Sequence, residues 1–302
     1  MNFIESTSGT GEKPVKLFVQ DIGQGKPVVF ISGWPLSSEM WEYQLNVLPK
    51  HFLRCIAYDR RGFGKSDKPW DGYDYDTLAA DLNAILEELD LFDVTLVGFS
   101  MGGGEVVRYI AKYGDKRISR VVLVSSVVPF MLKTDNNPDG LPKEMFDEFV
   151  ANTEDDRPKF LAEFAKSFYG NSFLNANVSD ELMVWHNTLA LQASGRATSK
   201  CIRSFSETDF RADLVHIKVP VLIIHGDDDK TVPIEVSGKK TSELLPAAEY
   251  KVYSGAPHGL FITEKERLNK DLIQFIGASK DDENNEREEN NGLSYQPNVG
   301  AL

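Results

Sequence analysis

Short, continuously apolar runs that alternate with amphipathic segments are the feature that most constrains the fold of this chain. Three of these runs contain no polar residue: Val-Val-Phe-Ile at 28–31, Val-Val-Leu-Val at 121–124 and Val-Leu-Ile-Ile at 221–224. Such runs are typical of parallel strands that are covered on both faces. Because parallel strands are joined by crossover helices, the alternation predicts an α/β fold with a mostly parallel central sheet flanked by helices.

The same periodicity places the individual elements. Strands are expected at residues 16–20, 27–31, 52–58, 94–97, 120–125, 219–225 and 249–253. Helices are expected between them, at residues 38–48, 76–89, 103–112, 233–245 and 263–276. Asp74 and Asp76 precede an apolar-periodic run and are candidate N-cap residues for its helix.

Residues 127–215 interrupt the alternation with a helical pattern. An all-helical insertion between two core strands would lie over the strand ends as a lid. We therefore assign residues 1–126 and 216–277 to an α/β core and residues 127–215 to a helical cap. We expect most of the large apolar residues of the cap to pack the cap itself and a minority to line a substrate pocket; they are Phe146, Phe149, Phe160, Phe164, Phe168, Trp185 and Leu189.

Charge and cysteine content limit the partners and the location. The formal net charge of −13 argues against nucleic acid or an anionic membrane as a partner. Residues 278–302 carry six acidic and two basic residues without apolar periodicity, which predicts a disordered acidic tail.

No apolar run approaches the roughly 18 residues of a membrane span, and the N-terminus lacks a basic region followed by an apolar stretch, so a cytoplasmic location is expected. Cys55 and Cys201 are expected to be buried free thiols.

The pentapeptide Gly98-Phe99-Ser100-Met101-Gly102 lies between a predicted strand and a predicted helix. A Gly-x-Ser-x-Gly in this context forms a nucleophile elbow, a sharp turn that holds the serine in a strained backbone conformation. A side chain at 98 or 102 would collide with neighbouring backbone in so tight a turn. The alternative is a glycine-rich turn without a chemical role, and the presence of a base that can activate Ser100 decides between the two.

Five histidines are candidates for that base, at 51, 186, 216, 225 and 258. His51 and His216 lie next to strands, His186 lies in the cap, and packing and turn formation explain His225 at a strand end. His258 lies in the loop Ser-Gly-Ala-Pro-His-Gly-Leu between the last strand and the last helix, from which it can reach over the strand ends to Ser100. We assign His258 as the general base, since imidazole titrates near neutral pH.

The base needs a carboxylate that fixes its tautomer, and three consecutive aspartates follow the strand at 219–225. Asp227 directly follows a glycine and is expected to hydrogen-bond the backbone of the turn. Asp228 is expected to face water. Asp229 precedes Lys-Thr-Val-Pro, where the loop bends towards the next helix, and we assign it as the third member of the triad.

The chain resembles the α/β-hydrolase superfamily, and within it the cofactor-free haloperoxidase, perhydrolase and aryl-esterase group. The resemblance covers roughly residues 15–277 and is carried by Ser-Gly-Trp-Pro-Leu-Ser-Ser-Glu-Met-Trp-Glu-Tyr-Gln (32–44), Tyr-Asp-Arg-Arg-Gly-Phe-Gly-Lys-Ser (58–66), Gly-Phe-Ser-Met-Gly-Gly-Gly-Glu-Val (98–106), His-Gly-Asp-Asp-Asp-Lys-Thr-Val-Pro (225–233) and Ala-Pro-His-Gly (256–259). It implies the α/β-hydrolase fold, and it makes the last Asp of His-Gly-Asp-x-Asp, here Asp229, the triad acid. Asp59, Arg60 and Arg61 are expected to be loop scaffolding.

The resemblance also implies an oxyanion hole made of two backbone N–H groups. One belongs to Met101, at the N-terminus of the helix that follows the nucleophile, and the other to Trp34. Pro35 resembles the haloperoxidase and perhydrolase version of this loop, and we hypothesise that it shifts the Trp34 carbonyl so that hydrogen peroxide competes with water. The family commonly has His-Gly before the tryptophan, whereas this chain has Ser32-Gly33.

Together these residues predict a serine hydrolase that acts on small carboxylic esters through an acyl-enzyme, with perhydrolase activity as a side reaction. The expected partners are a small-molecule ester and hydrogen peroxide, without nucleic acid or membrane, and homo-oligomer formation is left open. No metal or organic cofactor is expected. The alternatives are a small-molecule sensor or signalling protein with little turnover, and a lactonase or amidase.

Overall fold

The computed structural model describes residues 2–8, 13–172 and 176–277. In this part of the chain, eight strands form one sheet in the order β1-β2-β4-β3-β5-β6-β7-β8. The strands are β1 (Asn2–Ser6), β2 (Val15–Ile22), β3 (Lys26–Ile31), β4 (Leu53–Tyr58), β5 (Val94–Phe99), β6 (Ile118–Val124), β7 (Val221–Gly226) and β8 (Glu249–Tyr253). Among the described strands, the β1–β2 and β2–β4 pairs are antiparallel and the other five pairs are parallel, which confirms the predicted mostly parallel sheet.

The α-helices flank the sheet or follow β6 as a group. They are α1 (Glu42–Leu45), α2 (Tyr75–Glu88), α3 (Met101–Tyr113), α4 (Lys143–Phe168), α5 (Asp180–Leu191), α6 (Gly195–Glu207), α7 (Gly238–Leu244), α8 (Leu260–Thr263) and α9 (Lys265–Ile276). Asp74 is the N-cap of α2 and accepts a hydrogen bond from the Thr77 N–H, as the sequence predicts. Asp76 lies inside the first turn instead and pairs with Arg108 on α3.

Several predicted elements differ from the observed ones at their ends. Strand β1 was not predicted, because only Ile4 and Ser6 of this edge strand are buried and its apolar pattern is therefore weak. The helix predicted at 38–48 is a 3₁₀ turn (Ser38–Trp41) that continues into the single turn of α1. The helices predicted at 233–245 and 263–276 are each divided, because Ser237 and Glu264 have non-helical backbone angles.

Three long helices, α4, α5 and α6, lie in the chain between β6 and β7. The all-helical prediction for 127–215 is wrong for its first part, because residues 127–142 contain no helix and make isolated bridges such as Leu132–Leu141. Helix α4 is kinked at Asp156, two residues before Pro158, which cannot donate a helical hydrogen bond. The Asp156 carboxylate accepts from the Lys159 N–H and so caps the second half of α4. The acidic tail predicted at 278–302 lies outside the described residues.

The glycines after the elbow allow α3 to lie directly against its neighbours. A Cβ on Gly102 would approach the backbone oxygen of Ile31 to 2.5 Å, and one on Gly103 would approach the Ser126 hydroxyl to 2.0 Å. A Cβ on Gly104 would lie 2.5 Å from the Phe210 ring and 2.7 Å from the Tyr75 ring, both of which are buried. The run of glycines is therefore a packing requirement at the point where α3 meets β3 and the cap.

We expect Gly104→Ala to destabilise the protein, since the new methyl group has no space between two fixed rings. Overpacking of this kind costs about 1–3 kcal/mol of the free energy of unfolding. Gly195→Ala is the matched control, because it too lies in the first turn of a helix but its nearest neighbour would be 3.9 Å away. Urea unfolding measures both variants. Equal stability of Gly104→Ala and the wild type would contradict the packing argument.

Candidate active site

Ser100 occupies the sharp turn between β5 and α3. Its backbone lies in the left-handed region, with φ 52° and ψ −119°, which is strained for a residue that carries a side chain. A Cβ on Gly98 would lie 2.7 Å from the Gly102 oxygen, so glycine is required where the strand and helix cross. The turn presents the Ser100 side chain, which is 6% exposed, at the carboxyl edge of the parallel strands.

The three residues predicted as a triad lie within hydrogen-bonding distance of one another. His258 Nδ1 lies 2.6 Å from Asp229 Oδ2, and His258 Nε2 lies 3.0 Å from Ser100 Oγ. The ionised Asp229 carboxylate can only accept, so Nδ1 carries the proton and Nε2 is free to accept from the Ser100 hydroxyl. The imidazole is fully buried, and the rings of Phe99 and Phe168 each lie 4.9 Å from its centroid.

Asp229 is held by hydrogen bonds on both of its oxygens. Its Oδ1 accepts from the backbone N–H groups of Thr231, at 2.9 Å, and Val232, at 2.7 Å. Burial alone would raise the pKa of this carboxyl, but the attraction of His258 and hydrogen bonds from His225 and His258 outweigh it. The pKa of Asp229 is therefore well below its usual range, and the group stays ionised beside the imidazole.

The other two aspartates have the structural roles that the sequence predicts. Asp227 accepts a hydrogen bond from the Gly255 N–H, which ties the β7 loop to the loop after β8. Asp228 is exposed and pairs with Lys230. Of the three neighbours, Asp229 alone contacts His258 in the described structure.

His225 has a closer relation to the site than the sequence analysis assigned to it. Its Nε2 donates to the Val232 carbonyl at 2.9 Å and also lies 3.3 Å from Asp229 Oδ2. The imidazole therefore supports both the acid and the loop that holds the acid. The signal in the sequence was the spacing of His225 and Asp229 in His-Gly-Asp-x-Asp, which brings the two side chains together around one tight turn.

The other three histidines, His186, His216 and His51, make no hydrogen bond with Ser100 in the described structure. His186 is buried in the cap, with its Nδ1 3.0 Å from the Tyr169 hydroxyl, and burial lowers its pKa to about 3. His216 ends a 3₁₀ turn before β7, and His51 ends another before β4. Their placement agrees with the choice of His258 as the only histidine hydrogen-bonded to Ser100 among the described residues.

The two predicted oxyanion donors lie beside Ser100. Met101 is the first residue of α3, so its N–H has no partner inside the helix. The loop that carries Trp34 runs against the elbow, because a Cβ on Gly33 would be 3.0 Å from the Ser100 Cβ. The Trp34 side chain has a separate packing role: its indole N–H donates to the Thr198 carbonyl on α6 at 3.0 Å.

A buried ion pair connects the loop that carries Trp34 to helix α3. Arg60 pairs with Glu105 on α3, and its Nη2 donates to the Ser32 carbonyl at 2.6 Å. The Tyr58 hydroxyl donates to Glu105 Oε2 at 2.8 Å. The expectation that Asp59, Arg60 and Arg61 are scaffolding agrees with these contacts, since Arg61 likewise forms a buried pair with Asp81.

A narrow cavity of about 20 Å³ lies at Ser100 and His258. Its other lining residues are Trp34, Val127, Met131, Phe146, Phe149, Phe164, Phe205, Thr231 and Val232. Phe146, Phe149 and Phe164 were among the cap residues considered from the sequence, whereas the lining role of Phe205 on α6 was missed. Apart from Ser100, His258 and Thr231, the lining side chains are apolar or aromatic.

The described residues show neither a cluster of metal ligands nor a helix that could span a membrane. Among residues 2–8, 13–172 and 176–277, no three His, Cys, Asp or Glu side chains are grouped as a metal site requires. No helix in these residues is long and apolar enough to span a membrane. Cys55 and Cys201 are free and buried, as predicted.

Asp229→Asn tests the electrostatics of the site through pH-dependent stability. Because the pKa of Asp229 is lower in the folded chain than the roughly 3.9 of an unfolded aspartate, its stabilising contribution is complete above that value. The contribution is lost as the pH falls towards the folded-state pKa. We expect the stability advantage of the wild type over Asp229→Asn to shrink below about pH 4.

Urea unfolding from pH 3 to pH 7 measures this advantage. Asp228→Asn is the matched control, because this neighbouring carboxylate is exposed. An advantage over Asp229→Asn that stays constant across the range would contradict the assignment.

Comparison with known proteins agrees with this geometry. Residues 26–265 match the alpha/beta hydrolase fold family. A non-heme chloroperoxidase of Kitasatospora aureofaciens is 43% identical over 269 residues, covering 87% of this chain and 96% of that protein. A bifunctional esterase/perhydrolase of Acinetobacter calcoaceticus is 42% identical over 270 residues, covering 88% and 98%.

Solved structures of a bromoperoxidase and an esterase have the same fold as this chain. A bromoperoxidase from Bacillus anthracis superposes with a TM-score of 0.88 at 44% identity, covering 91% of this chain and 99% of that one. An esterase from Exiguobacterium antarcticum superposes with a TM-score of 0.85 at 34% identity, covering 91% and 98%. The chain therefore belongs to the α/β-hydrolase superfamily, within its group of non-heme haloperoxidases and perhydrolases.

Proposed function

We propose that this protein is a serine hydrolase that cleaves small carboxylic esters through an acyl-enzyme and transfers the same acyl group to hydrogen peroxide as a side reaction. The observation that carries the proposal is the continuous chain from Ser100 through His258 to Asp229, with contacts of 3.0 and 2.6 Å. The relatives named esterase/perhydrolase and non-heme chloroperoxidase support it. The sensor and the lactonase or amidase alternatives are not favoured, since the relatives at 34–43% identity are named as chloroperoxidase, esterase/perhydrolase and esterase.

The reaction follows from the roles that the geometry permits. Ser100 Oγ attacks the ester carbonyl while His258 Nε2 takes its proton, and Asp229 stabilises the imidazolium. The N–H groups of Trp34 and Met101 bind the oxyanion, and the N-terminus of α3 adds a favourable dipole. His258 then protonates the leaving alcohol, which completes the acyl-enzyme.

In the second half of the reaction, either water or hydrogen peroxide accepts the acyl group from Ser100. Water attacks the acyl-enzyme and gives the carboxylic acid, whereas hydrogen peroxide gives the peracid; in each case His258 takes the proton of the acceptor and returns it to Ser100. Oxidation of halide to hypohalite follows from the peracid outside the site. None of these steps needs a metal or an organic cofactor.

We further propose that residues 127–215 act as the lid of this site. Side chains from α4 and α6, Phe146 and Phe205 among them, line the cavity at Ser100. The Phe168 carbonyl at the end of α4 accepts from the Gly259 N–H at 2.7 Å, next to His258. The lid thus supports the loop that carries the base. The cytoplasmic location and homo-oligomer formation stay predictions.

Ser100→Ala tests the nucleophile. Loss of a triad serine typically lowers kcat by about 10⁴-fold or more, and we expect a fall of this size with phenyl acetate. Ser199→Ala, a serine on α6 that does not line the cavity, is the matched control. Steady-state kinetics measures kcat for each variant, and thermal unfolding shows whether each variant is folded. Activity that survives in folded Ser100→Ala would overturn the mechanism.

Pro35→Leu tests the perhydrolase hypothesis. Both enzymes are supplied with 4-nitrophenyl acetate and hydrogen peroxide, and peracetic acid formed per nitrophenol released is measured. We expect this ratio to fall in Pro35→Leu, because the leucine no longer fixes the backbone next to Trp34. Equal ratios in the two enzymes would count against a role for Pro35 in selecting peroxide.

A further inference from the structure

The Thr231 hydroxyl is a buried polar group for which the described structure provides no partner. Its Oγ1 is inaccessible to solvent and makes no hydrogen bond with any described residue. Threonine hydroxyls that compete with helix or turn backbone normally find a nearby carbonyl, as Thr153 and Thr188 do on the cap helices. A buried hydroxyl without a partner is unfavourable and requires an explanation.

The position of Thr231 suggests what that partner is. Thr231 lines the same cavity as Ser100 and His258. The remaining lining residues supply indole and phenyl rings, aliphatic side chains and one thioether, so they offer the hydroxyl no hydrogen-bonding group comparable to an oxygen. Thr231 is therefore the one polar side chain of the lining that the proposed mechanism does not use.

The backbone around this hydroxyl is fixed by the triad itself. The Thr231 N–H donates to Asp229 Oδ1 at 2.9 Å, and the neighbouring Val232 N–H donates to the same oxygen at 2.7 Å. The Val232 carbonyl accepts from His225 Nε2 at 2.9 Å. The backbone that carries the hydroxyl is thus held in place relative to the base, as the support of a group that recognises a substrate must be.

We propose that the Thr231 hydroxyl hydrogen-bonds a neutral oxygen of the substrate, so that this enzyme prefers short esters that carry an ether, hydroxyl or keto oxygen near the scissile bond. The proposal rests on the proposed function and narrows its substrate class. The oxygen is neutral because no described Lys, Arg, Asp or Glu lines the cavity to pair with a charge, and an ion in an apolar cavity is costly. The ring-lined walls accept the hydrocarbon remainder of such an ester.

The experiment compares esters that differ by one oxygen, in an acyl arm and an alcohol arm. The acyl arm uses 4-nitrophenyl methoxyacetate against 4-nitrophenyl butanoate, and the alcohol arm uses 2-methoxyethyl acetate against butyl acetate. In each pair an ether oxygen replaces a methylene of similar size. The quantity measured is the ratio of kcat/KM values within a pair, for wild type, Thr231→Val and Thr231→Ser.

Intrinsic reactivity cancels when these ratios are compared between enzymes, because each ester serves as its own reference. We expect the preference for the ether ester to fall about fivefold in Thr231→Val in one arm, the size of one net hydrogen bond, and to be kept in Thr231→Ser. The arm that responds identifies whether the oxygen belongs to the acid or to the alcohol. Ratios that are the same in all three enzymes, in both arms, would overturn the proposal.

A stability measurement separates recognition from a structural role. If the hydroxyl has no partner within the protein, Thr231→Val does not lower the thermal unfolding midpoint of the free enzyme. A fall of several degrees in Thr231→Val, restored in Thr231→Ser, would show an internal partner and overturn the proposal. Hydrolysis of butyl acetate that is lost in Ser100→Ala, together with unresponsive ratios, would refute the role of Thr231 while leaving the proposed function intact.

Discussion

The left-handed backbone at Ser100 is the constraint on which the rest of the site depends. At φ 52° the chain reverses within one residue, so that β5 can end and α3 can begin with the serine side chain at the turn. This conformation is unfavourable for serine and persists because its surroundings leave no alternative. Gly98 and Gly102 let the strand, the helix and β3 approach closely, and the Ser100 N–H donates to the Val124 carbonyl on β6. A strained residue thus lies at the carboxyl edge of a mostly parallel sheet, hydrogen-bonded to the candidate base.

The loops around this turn are held by buried polar contacts instead of by apolar packing alone. The Arg60–Glu105 pair is fully buried, and Arg60 also binds the Ser32 carbonyl, one residue before the Gly33 that lies against Ser100. Removal of one partner from a buried pair costs about 3–5 kcal/mol, because the other charge is left uncompensated. The pair therefore connects the loop that carries Trp34, a proposed oxyanion donor, to α3. The acid has a comparable support, since His225 and two backbone N–H groups orient Asp229 towards His258.

Much of the fold and the triad could be predicted from the sequence because their signals are local. Apolar strands covered on both faces are visible as uninterrupted runs, and the elbow requires glycine at fixed offsets from Ser100. His258 and Asp229 were selected by their places after strands, where parallel sheets bring loop residues together. The resemblance to a known family pointed to the same acid.

The parts that the sequence could not predict depend on tertiary packing. The edge strand β1 has too few buried positions to show a period, and the helical pattern of the cap did not show that α4 is kinked at Asp156. Phe205 lines the cavity because α6 lies beside α4, a relation that no local pattern contains. The unpartnered hydroxyl of Thr231 likewise becomes visible only when every neighbour has a position.

We propose that catalysis passes through an acyl group on Ser100. Rapid mixing with 4-nitrophenyl acetate, acid quenching and mass spectrometry of the digested protein test it most directly. The expected result is one acetyl group on the peptide that contains Ser100, at the time when the first equivalent of nitrophenol is released, and its loss when substrate is exhausted. Acetyl groups found on another residue, or turnover at the full rate in Ser100→Ala without an adduct, would contradict the claim.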